Sequence, residues 1–162
     1  LPNRRALQAA LASALTHAGP GNLLGVYILD LDGFKPVNDL YGHDVGDELL
    51  VAVTHRLRST LRQSDLIARL GGDEFVVVTE RLLSPQQAHD LGQKLLDAFH
   101  APFALGSVQI QVGLTIGYAI APDDGMDAAT LLKRADAAMY SGKQSGKFCL
   151  RRNRGDLALS SA

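Results

Sequence analysis

The chain has 162 residues, of which 46% are apolar and 20% charged, and this composition is typical of one globular domain with a sizeable core. A formal net charge of −1 gives no basis for attraction of the whole molecule to nucleic acid or an anionic membrane. The single cysteine, Cys149, excludes an internal disulfide, and no run of about eighteen apolar residues predicts a membrane span.

The charges are unevenly distributed along the chain. From 143 to 154 there are five bases and no acid, whereas from 30 to 48 one base stands among six acids: Asp30, Asp32, Asp39, Asp44, Asp47 and Glu48. This separation suits a cation site on one side and phosphate contacts on the other, although a solvated tail explains the basic run equally well.

The first predicted elements are a helix and a buried strand. Pro2 and Asn3 open the helix, and Gly19 follows its end. The apolar run 23–29 then predicts a strand that ends at Asp30-Leu31-Asp32-Gly33. A buried strand that delivers a carboxylate at its end is a common way to place a metal ligand, but a polar strand end before a turn is the simpler alternative.

The next segment, 34–40, is too short to predict an independent helix. Asp44 is the predicted N-cap of a longer helix that runs to about Leu61, with Asp47 three residues later as in a capping box.

The stretch 69–78, Arg-Leu-Gly-Gly-Asp-Glu-Phe-Val-Val-Val, predicts two strands joined by a tight turn. Gly71 and Gly72 supply the positive φ angles of the turn, and Asp73 and Glu74 lie at its tip or on the first outgoing positions. Adjacent carboxylates repel each other, and a hard divalent cation such as Mg²⁺ would relieve that repulsion. A solvated turn whose charges have no function is the alternative.

Downstream, a helix from Ser84-Pro85, a hairpin over 103–112, a strand over 114–120, a helix capped by Asp127 and a last strand over 148–150 are predicted. The fold class is therefore mixed α/β (α+β), with a central, mostly antiparallel sheet flanked by helices. One domain over 1–150 and a basic, flexible tail over 151–162 are expected. Because the chain begins inside a helix start, we expect a domain excised from a longer signalling protein.

Several motifs in order resemble the GGDEF domain, the catalytic domain of diguanylate cyclases. They are Leu-Pro-Asn-Arg-Arg at the start, D-L-D-G-F-K-P-V-N-D-L-Y-G-H-D-V-G-D-E-L-L at 30–50, R-L-G-G-D-E-F at 69–75, T-I-G at 115–117, P-D-D-G at 122–125 and A-D-A-A-M-Y at 135–140. The resemblance covers nearly the whole chain. It implies a fold similar to adenylyl cyclases and polymerase palm domains.

The resemblance implies an enzyme that joins two GTP molecules into cyclic di-GMP and releases two pyrophosphates. Two Mg²⁺ ions, for which Mn²⁺ substitutes, would be held by Asp30, the Leu31 carbonyl, Asp73 and Glu74. Asp73 and Glu74 would be catalytic, with Asp73 helping to deprotonate the 3′-hydroxyl. Two metal ions would stabilise the attacking and leaving oxygens of an in-line displacement.

The resemblance also implies the substrate-binding residues. Asn38 and Asp47 would recognise guanine, because a carboxylate accepts from the N1 and N2 donors that adenine lacks. From its residues alone, Asp47 could equally be a helix cap. The other substrate-binding positions are His43 near the ribose, Gly71 and Gly72 in the turn, and Lys143 and Lys147 on the triphosphate. Lys147 replaces the usual Arg of the family, and Gly142 the usual Ala.

Arg62-Gln63-Ser64-Asp65 matches the R-x-x-D motif of the family's inhibitory site for cyclic di-GMP. Arg suits such a site because its guanidinium can donate two hydrogen bonds at once, to O6 and N7 of a guanine. Arg69 and Arg81 are the candidates for a further arginine that completes it. An arginine at a helix end, followed by a cap on the next strand, is the alternative.

The implied partners are GTP, cyclic di-GMP and a second copy of the domain, because one domain would hold one GTP. No nucleic acid is expected, membrane contact is expected only through domains outside this chain, and the expected location is the cytoplasm. The competing hypothesis is a regulatory module that binds GTP or cyclic di-GMP without useful turnover.

Overall fold

A computed structural model describes residues 2–153 of the chain. Its main feature is a five-stranded sheet in the order β2-β3-β1-β6-β7, in which β6 and β7 are parallel and the other neighbours are antiparallel. The strands of the chain are β1 (Leu23–Asp32), β2 (Leu66–Gly71), β3 (Glu74–Leu82), β4 (Phe103–Leu105), β5 (Val108–Ile110), β6 (Gly113–Ala121) and β7 (Leu150–Arg152). The predicted fold class is confirmed; β4 and β5 form a separate hairpin.

Helices cover both faces of this sheet. They are α1 (Arg4–Leu15), α2 (Phe34–Tyr41), α3 (His43–Thr60), α4 (Pro85–Asp97) and α5 (Ala128–Gln144), with a short 3-10 turn at Ala98–His100. None of the helices in residues 2–153 is long and apolar enough to cross a membrane.

Side chains alternate along β1 between two apolar cores. Leu29 and Leu31 pack in the core that α3 and α4 cover, whereas Val26 and Ile28 pack in the core that α1 and α5 cover. Because successive side chains of a strand point to opposite faces, the even-numbered Asp30 and Asp32 belong to the α1/α5 side. The pattern thus delivers two carboxylates to one face at the end of the central strand.

Three helix starts have the caps that their sequences predict. The side chains of Asn3, Ser84 and Asp127 accept hydrogen bonds from backbone N–H groups three residues later. The prediction for Asp44 is wrong, because it lies in the first turn of α3, after Gly42 with φ of 92°.

Residues 34–41 form a complete helix, contrary to the sequence-based expectation. α2 packs against α3 and buries Val37 in the core. Tertiary packing therefore stabilises a helix of eight residues that would be marginal alone.

The backbone of α5 lies directly on the sheet at Gly117. A Cβ atom at this position of β6 would overlap the Met139 nitrogen and the Ala135 carbonyl oxygen. Only glycine allows this approach, which fixes the height of α5 above the sheet and hence the place of its last turn.

The C-terminal part of the described chain adds β7 to the sheet. Arg151 and Arg152, the first two residues of the predicted tail, belong to this strand, and Arg152 Nε lies 2.9 Å from the buried Asp124 carboxylate. Residues 154–162 of that predicted tail lie outside the described residues.

Candidate active site

The acidic hairpin tip is built by β2 and β3. Gly71 pairs with Glu74 across the ladder, so the turn consists of Gly72 and Asp73, one residue later than the predicted Gly71-Gly72 loop. Both glycines have positive φ, of 152° and 48°, as the sequence analysis expected. Arg69 braces the turn through a 2.9 Å bond from Nε to the Gly72 carbonyl.

The tip is joined to the end of the central strand. Asp30 lies directly opposite Glu74 in the antiparallel register of β1 and β3, and the Leu31 N–H donates to the Asp73 carbonyl at 3.1 Å. Four residues predicted from distant motifs are thereby brought to one sheet end.

Lys143, in the last turn of α5, reaches this sheet end. Its Nζ atom lies 2.6 Å from Asp32 Oδ1 and 3.5 Å from Asp30 Oδ1, and it donates to the Leu31 carbonyl at 3.2 Å. From the sequence, Lys143 was expected only on the triphosphate, and no role was predicted for Asp32. The alternation of a strand could have identified Asp32, since it shares the face of Asp30.

The environment raises the pKa of two carboxyl groups. Burial raises the pKa of Asp30 to about 6, with Asp73 and Asp32 adding to the increase and Lys143 opposing it. Burial also raises the pKa of Glu74, followed by the negative charges of Asp136 and Asp30, while Arg4 opposes the increase.

This donor set has the chemistry of a site for hard divalent cations. Carboxylate and carbonyl oxygens are the ligands that Mg²⁺ takes. The charge of Asp73 raises the pKa of Asp30, the charge of Asp30 raises the pKa of Glu74, and a cation would relieve both repulsions. Within the described part of the chain, no three His, Cys, Asp or Glu side chains are grouped closely enough to hold an ion as they stand. Lys143 supplies positive charge to these oxygens.

A cavity of about 310 Å³ adjoins Glu74 on the α1/α5 side. Arg4 from α1 and Asp136 from α5 line it together with Glu74, over a floor that includes Ile28 and Leu70. No role was predicted from the sequence for Arg4 or Asp136. Both change the electrostatic environment of Glu74 from elements far away in the chain.

On the other side of the sheet, Asp47 lines an open cleft of about 420 Å³ with Leu50, Val51, Thr54 and Arg69. Asn38 lies beside this region, because its side chain covers Gly46, where a Cβ would overlap the Asn38 amide oxygen. The structure therefore brings Asn38 next to the residue that precedes Asp47. His43 is exposed at the first position of α3.

Lys147 lies beyond the end of α5 and is exposed, with φ of 64°. Gly142, the other departure from the family pattern, is buried, and a Cβ there would lie 2.9 Å from both Cys149 Sγ and Thr115 Cγ2. Cys149 is half-buried. The glycine thus makes room for the cysteine.

The R-x-x-D motif forms a closed cluster at the start of β2. Asp65 is only 3% exposed and accepts from the Arg62 backbone N–H at 2.8 Å, from Thr79 Oγ1 at 2.8 Å and from the Arg62 guanidinium. Arg62 also donates to the Glu80 carbonyl, and Arg58 donates twice to the Asp65 carbonyl. In this arrangement the Asp65 carboxylate is occupied by donors from its own chain.

A cavity of about 250 Å³ beside Arg62 is lined by Gln87, Asp90 and Lys94 of α4. Among the described residues, neither Arg69 nor Arg81 lines it, although Arg81 follows Glu80, whose carbonyl accepts from Arg62. Arg69 lines the cleft of Asp47 instead. Lys94 is the cation that the sequence analysis missed here.

A family model described as "Diguanylate cyclase, GGDEF domain" matches residues 1–149. The chain belongs to the GGDEF domain family. The GGDEF domain of TpbB (YfiN) from Pseudomonas aeruginosa has a crystal structure similar to it, with a TM-score of 0.89, 38% identity, and coverage of 94% of this chain and 96% of that one. The structure of the active GGEEF domain of a Vibrio cholerae diguanylate cyclase is similar with a TM-score of 0.83 and 29% identity, and the match covers 96% of this chain and 99% of that one.

Curated relatives of this GGDEF domain are named for different activities. Diguanylate cyclase TpbB of Pseudomonas aeruginosa is 41% identical over 150 residues, which is 91% of this chain and 34% of that protein. Cyclic di-GMP phosphodiesterase PdeR of Escherichia coli is 38% identical over 152 residues, 93% of this chain and 23% of that protein. The chain therefore spans about a third of the length of TpbB and about a quarter of that of PdeR.

Proposed function

We propose that this GGDEF domain is a diguanylate cyclase that condenses two GTP molecules into cyclic di-GMP and two pyrophosphates. The observation that carries the proposal is the sheet end where Asp30, Glu74 and the Asp73 main chain meet beside Lys143. Two divalent cations, Mg²⁺ or Mn²⁺, would be held there by Asp30, the Leu31 carbonyl, Asp73 and Glu74. When bound, they supply charge stabilisation for the attacking and leaving oxygens.

The residues of the chain supply binding, orientation and proton transfer. Asp47 and Asn38 take the guanine base, with Asp47 accepting from its N1 and N2 donors in the cleft that it lines. Lys143 and Lys147 meet the triphosphate, and His43 lies near the ribose. Asp73, at the tip of the hairpin, helps to remove the proton from the attacking 3′-hydroxyl.

Each domain holds one GTP in this proposal, so a second copy must face the first. The reacting 3′-hydroxyl of one nucleotide then meets the α-phosphate of the other, and two such transfers close the ring and release two pyrophosphates. Positioning of this kind contributes much of the rate increase in phosphoryl transfer.

The test is product formation from GTP and Mg²⁺ at several protein concentrations, with pyrophosphate and cyclic di-GMP both measured. We expect specific activity to rise with protein concentration, because paired half-sites are needed. Asp73→Ala and Glu74→Ala should abolish turnover and retain the fold, since Asp73 lies in the turn, Glu74 is the first residue of β3, and both are partly exposed. Unchanged turnover in either variant would contradict the metal assignment.

A regulatory nucleotide-binding module is the second candidate, because a relative at 38% identity is named a phosphodiesterase. This reading predicts that GTP or cyclic di-GMP binds but that no product forms at any protein concentration. The same experiment therefore separates the two functions.

A further inference from the structure

Lys143 contacts oxygen atoms that the proposed function gives to a divalent cation. Its ammonium group donates to the Leu31 carbonyl at 3.2 Å and lies 3.5 Å from Asp30 Oδ1. An ammonium and a divalent cation repel each other, so they cannot both contact the Leu31 carbonyl oxygen and Asp30 Oδ1 at such distances. The lysine and the cation must therefore compete for them.

Asp32 gives Lys143 its shortest contact, at 2.6 Å, and is itself fixed. Its carboxylate accepts from the Thr115 hydroxyl and from the Phe148 backbone N–H, both at 2.9 Å. Asp32 is not among the residues assigned to the metal. Its contact with Lys143 therefore persists when a cation takes Asp30 and the Leu31 carbonyl.

We propose that Asp32 is a positioning residue that holds the Lys143 ammonium group at the border between the metal-binding carboxylates and the triphosphate. An ammonium has three N–H donors. One N–H group of Lys143 stays bonded to Asp32. The cation displaces the other two from Asp30 and from the Leu31 carbonyl, so these two N–H groups become available to phosphate oxygens. Binding of the metal thereby prepares Lys143 for the nucleotide. The inference rests on the proposed function, because it takes the metal donors from it.

The competition is tested with Mn²⁺ alone, without nucleotide, by electron paramagnetic resonance. We expect Lys143→Gln to bind Mn²⁺ about three- to tenfold more tightly than the parent domain, because a competing unit charge is removed from a half-buried site. Lys147→Gln is the matched control. Lys147 is exposed and has no ion pair within residues 2–153, so the affinity of this variant should stay within about twofold of the parent.

Equal Mn²⁺ affinities for Lys143→Gln and the parent domain would overturn the competition. Failure of every protein to bind Mn²⁺ would overturn it too, since no cation would then contend with Lys143.

The role of Asp32 is tested by a double-mutant cycle on binding of a nonhydrolysable GTP analogue with Mg²⁺. Asp32→Asn should weaken binding about tenfold when Lys143 is present and by less than about twofold in the Lys143→Gln background. Equal losses in both backgrounds would show a merely structural role and overturn the assignment. If Asp32→Asn lowers the melting temperature severely, Asp32→Glu takes its place in the cycle. Both readouts measure binding, so a lack of cyclase activity remains distinguishable from failure of this inference.

Discussion

Gly46 is the residue that allows Asn38 and Asp47 to approach each other. The Asn38 side chain lies where a Cβ of residue 46 would be, so α2 and α3 meet through a glycine at the candidate guanine site. The spacing between Asn38 and Asp47 therefore depends on a position that has no functional group.

We expect Gly46→Ala to weaken GTP binding about tenfold or more, because the added methyl group displaces the Asn38 amide. The measurement is the GTP affinity by calorimetry, alongside the melting temperature. Gly19→Ala is the matched control, since a Cβ there meets no atom within 4 Å. Equal GTP affinities for the two variants would mean that Asn38 does not contribute to GTP binding.

The pKa of Asp30, raised to about 6, makes cation binding depend on pH. Below that value the carboxyl group is protonated, and a divalent ion must displace its proton. We expect the affinity for Mn²⁺ to fall as pH decreases through 6, by up to about tenfold per unit when one proton competes. Titration of Mn²⁺ binding between pH 5 and 8 checks this, and Asp30→Asn should reduce the dependence and remove most of the affinity.

The same shift acts on folding with the opposite trend. Because the pKa of Asp30 is higher in the folded state than its ordinary value of 3.8, the folded chain holds the proton more firmly. The free energy of unfolding of the metal-free domain therefore decreases as pH rises from about 4 to 6, because the proton that the folded state binds more firmly is lost. Above pH 6 the charged, half-buried carboxylate opposes folding.

At the scale of elements, the contact between α5 and the sheet is made by backbone rather than side chains. The Met139 nitrogen and the Ala135 carbonyl flank the place where a side chain of Gly117 would start. Neither group can rotate away as a side chain could.

We expect Gly117→Ala to lower the free energy of unfolding by about 3 kcal/mol, the upper part of the usual range for overpacking. Gly92→Ala is the comparison, because a Cβ there first meets the end of the Leu150 side chain, which can move. Urea denaturation should show the larger loss for Gly117→Ala. A smaller loss than for Gly92→Ala would mean that α5 can lift from the sheet without cost.

The sequence predicted those elements whose signals are local. The strand β1, with its acidic end at Asp30 and Asp32, the strand β3, and the caps at Ser84 and Asp127 follow from periodicity and side chains a few residues apart. It did not predict α2, whose stability comes from packing on α3.

Long-range charge contacts were also missed, because nothing local indicates them. Arg56 donates to the carbonyls of Ala98 and Ala101, and Arg58 to that of Asp65. The contact of Lys143 with Asp32 spans 111 positions and escaped prediction for the same reason.

At the scale of the whole molecule, two clusters lie at opposite ends of β2. Asp65 precedes its first residue, and the tip with Gly72 and Asp73 follows its last. Binding of cyclic di-GMP at the first cluster would require Arg62 to leave Asp65 or to bind while still paired.

We expect Arg62→Ala to relieve inhibition by cyclic di-GMP at least about tenfold, because charge-assisted bonds to the ligand are lost. The measurement is the inhibition constant in the pyrophosphate assay. Arg5→Ala is the control, because Arg5 is exposed on α1 and does not line the cavity beside Arg62. Identical inhibition constants for Arg62→Ala and the parent domain would count against this site.

The order of the strands in the sheet predicts how often the backbone opens locally at the two parts of the site, the end of β1 and the tip between β2 and β3. Asp30 and Asp32 stand on β1, whose backbone is paired on both sides, whereas the tip is approached through β2, an edge strand. Amide protons of the central strand should exchange with solvent only on global unfolding, while those near Gly72 exchange through brief local openings. Asp30 is thus carried by a strand whose amide protons exchange slowest, and Asp73 by a turn whose amide protons are among the fastest to exchange.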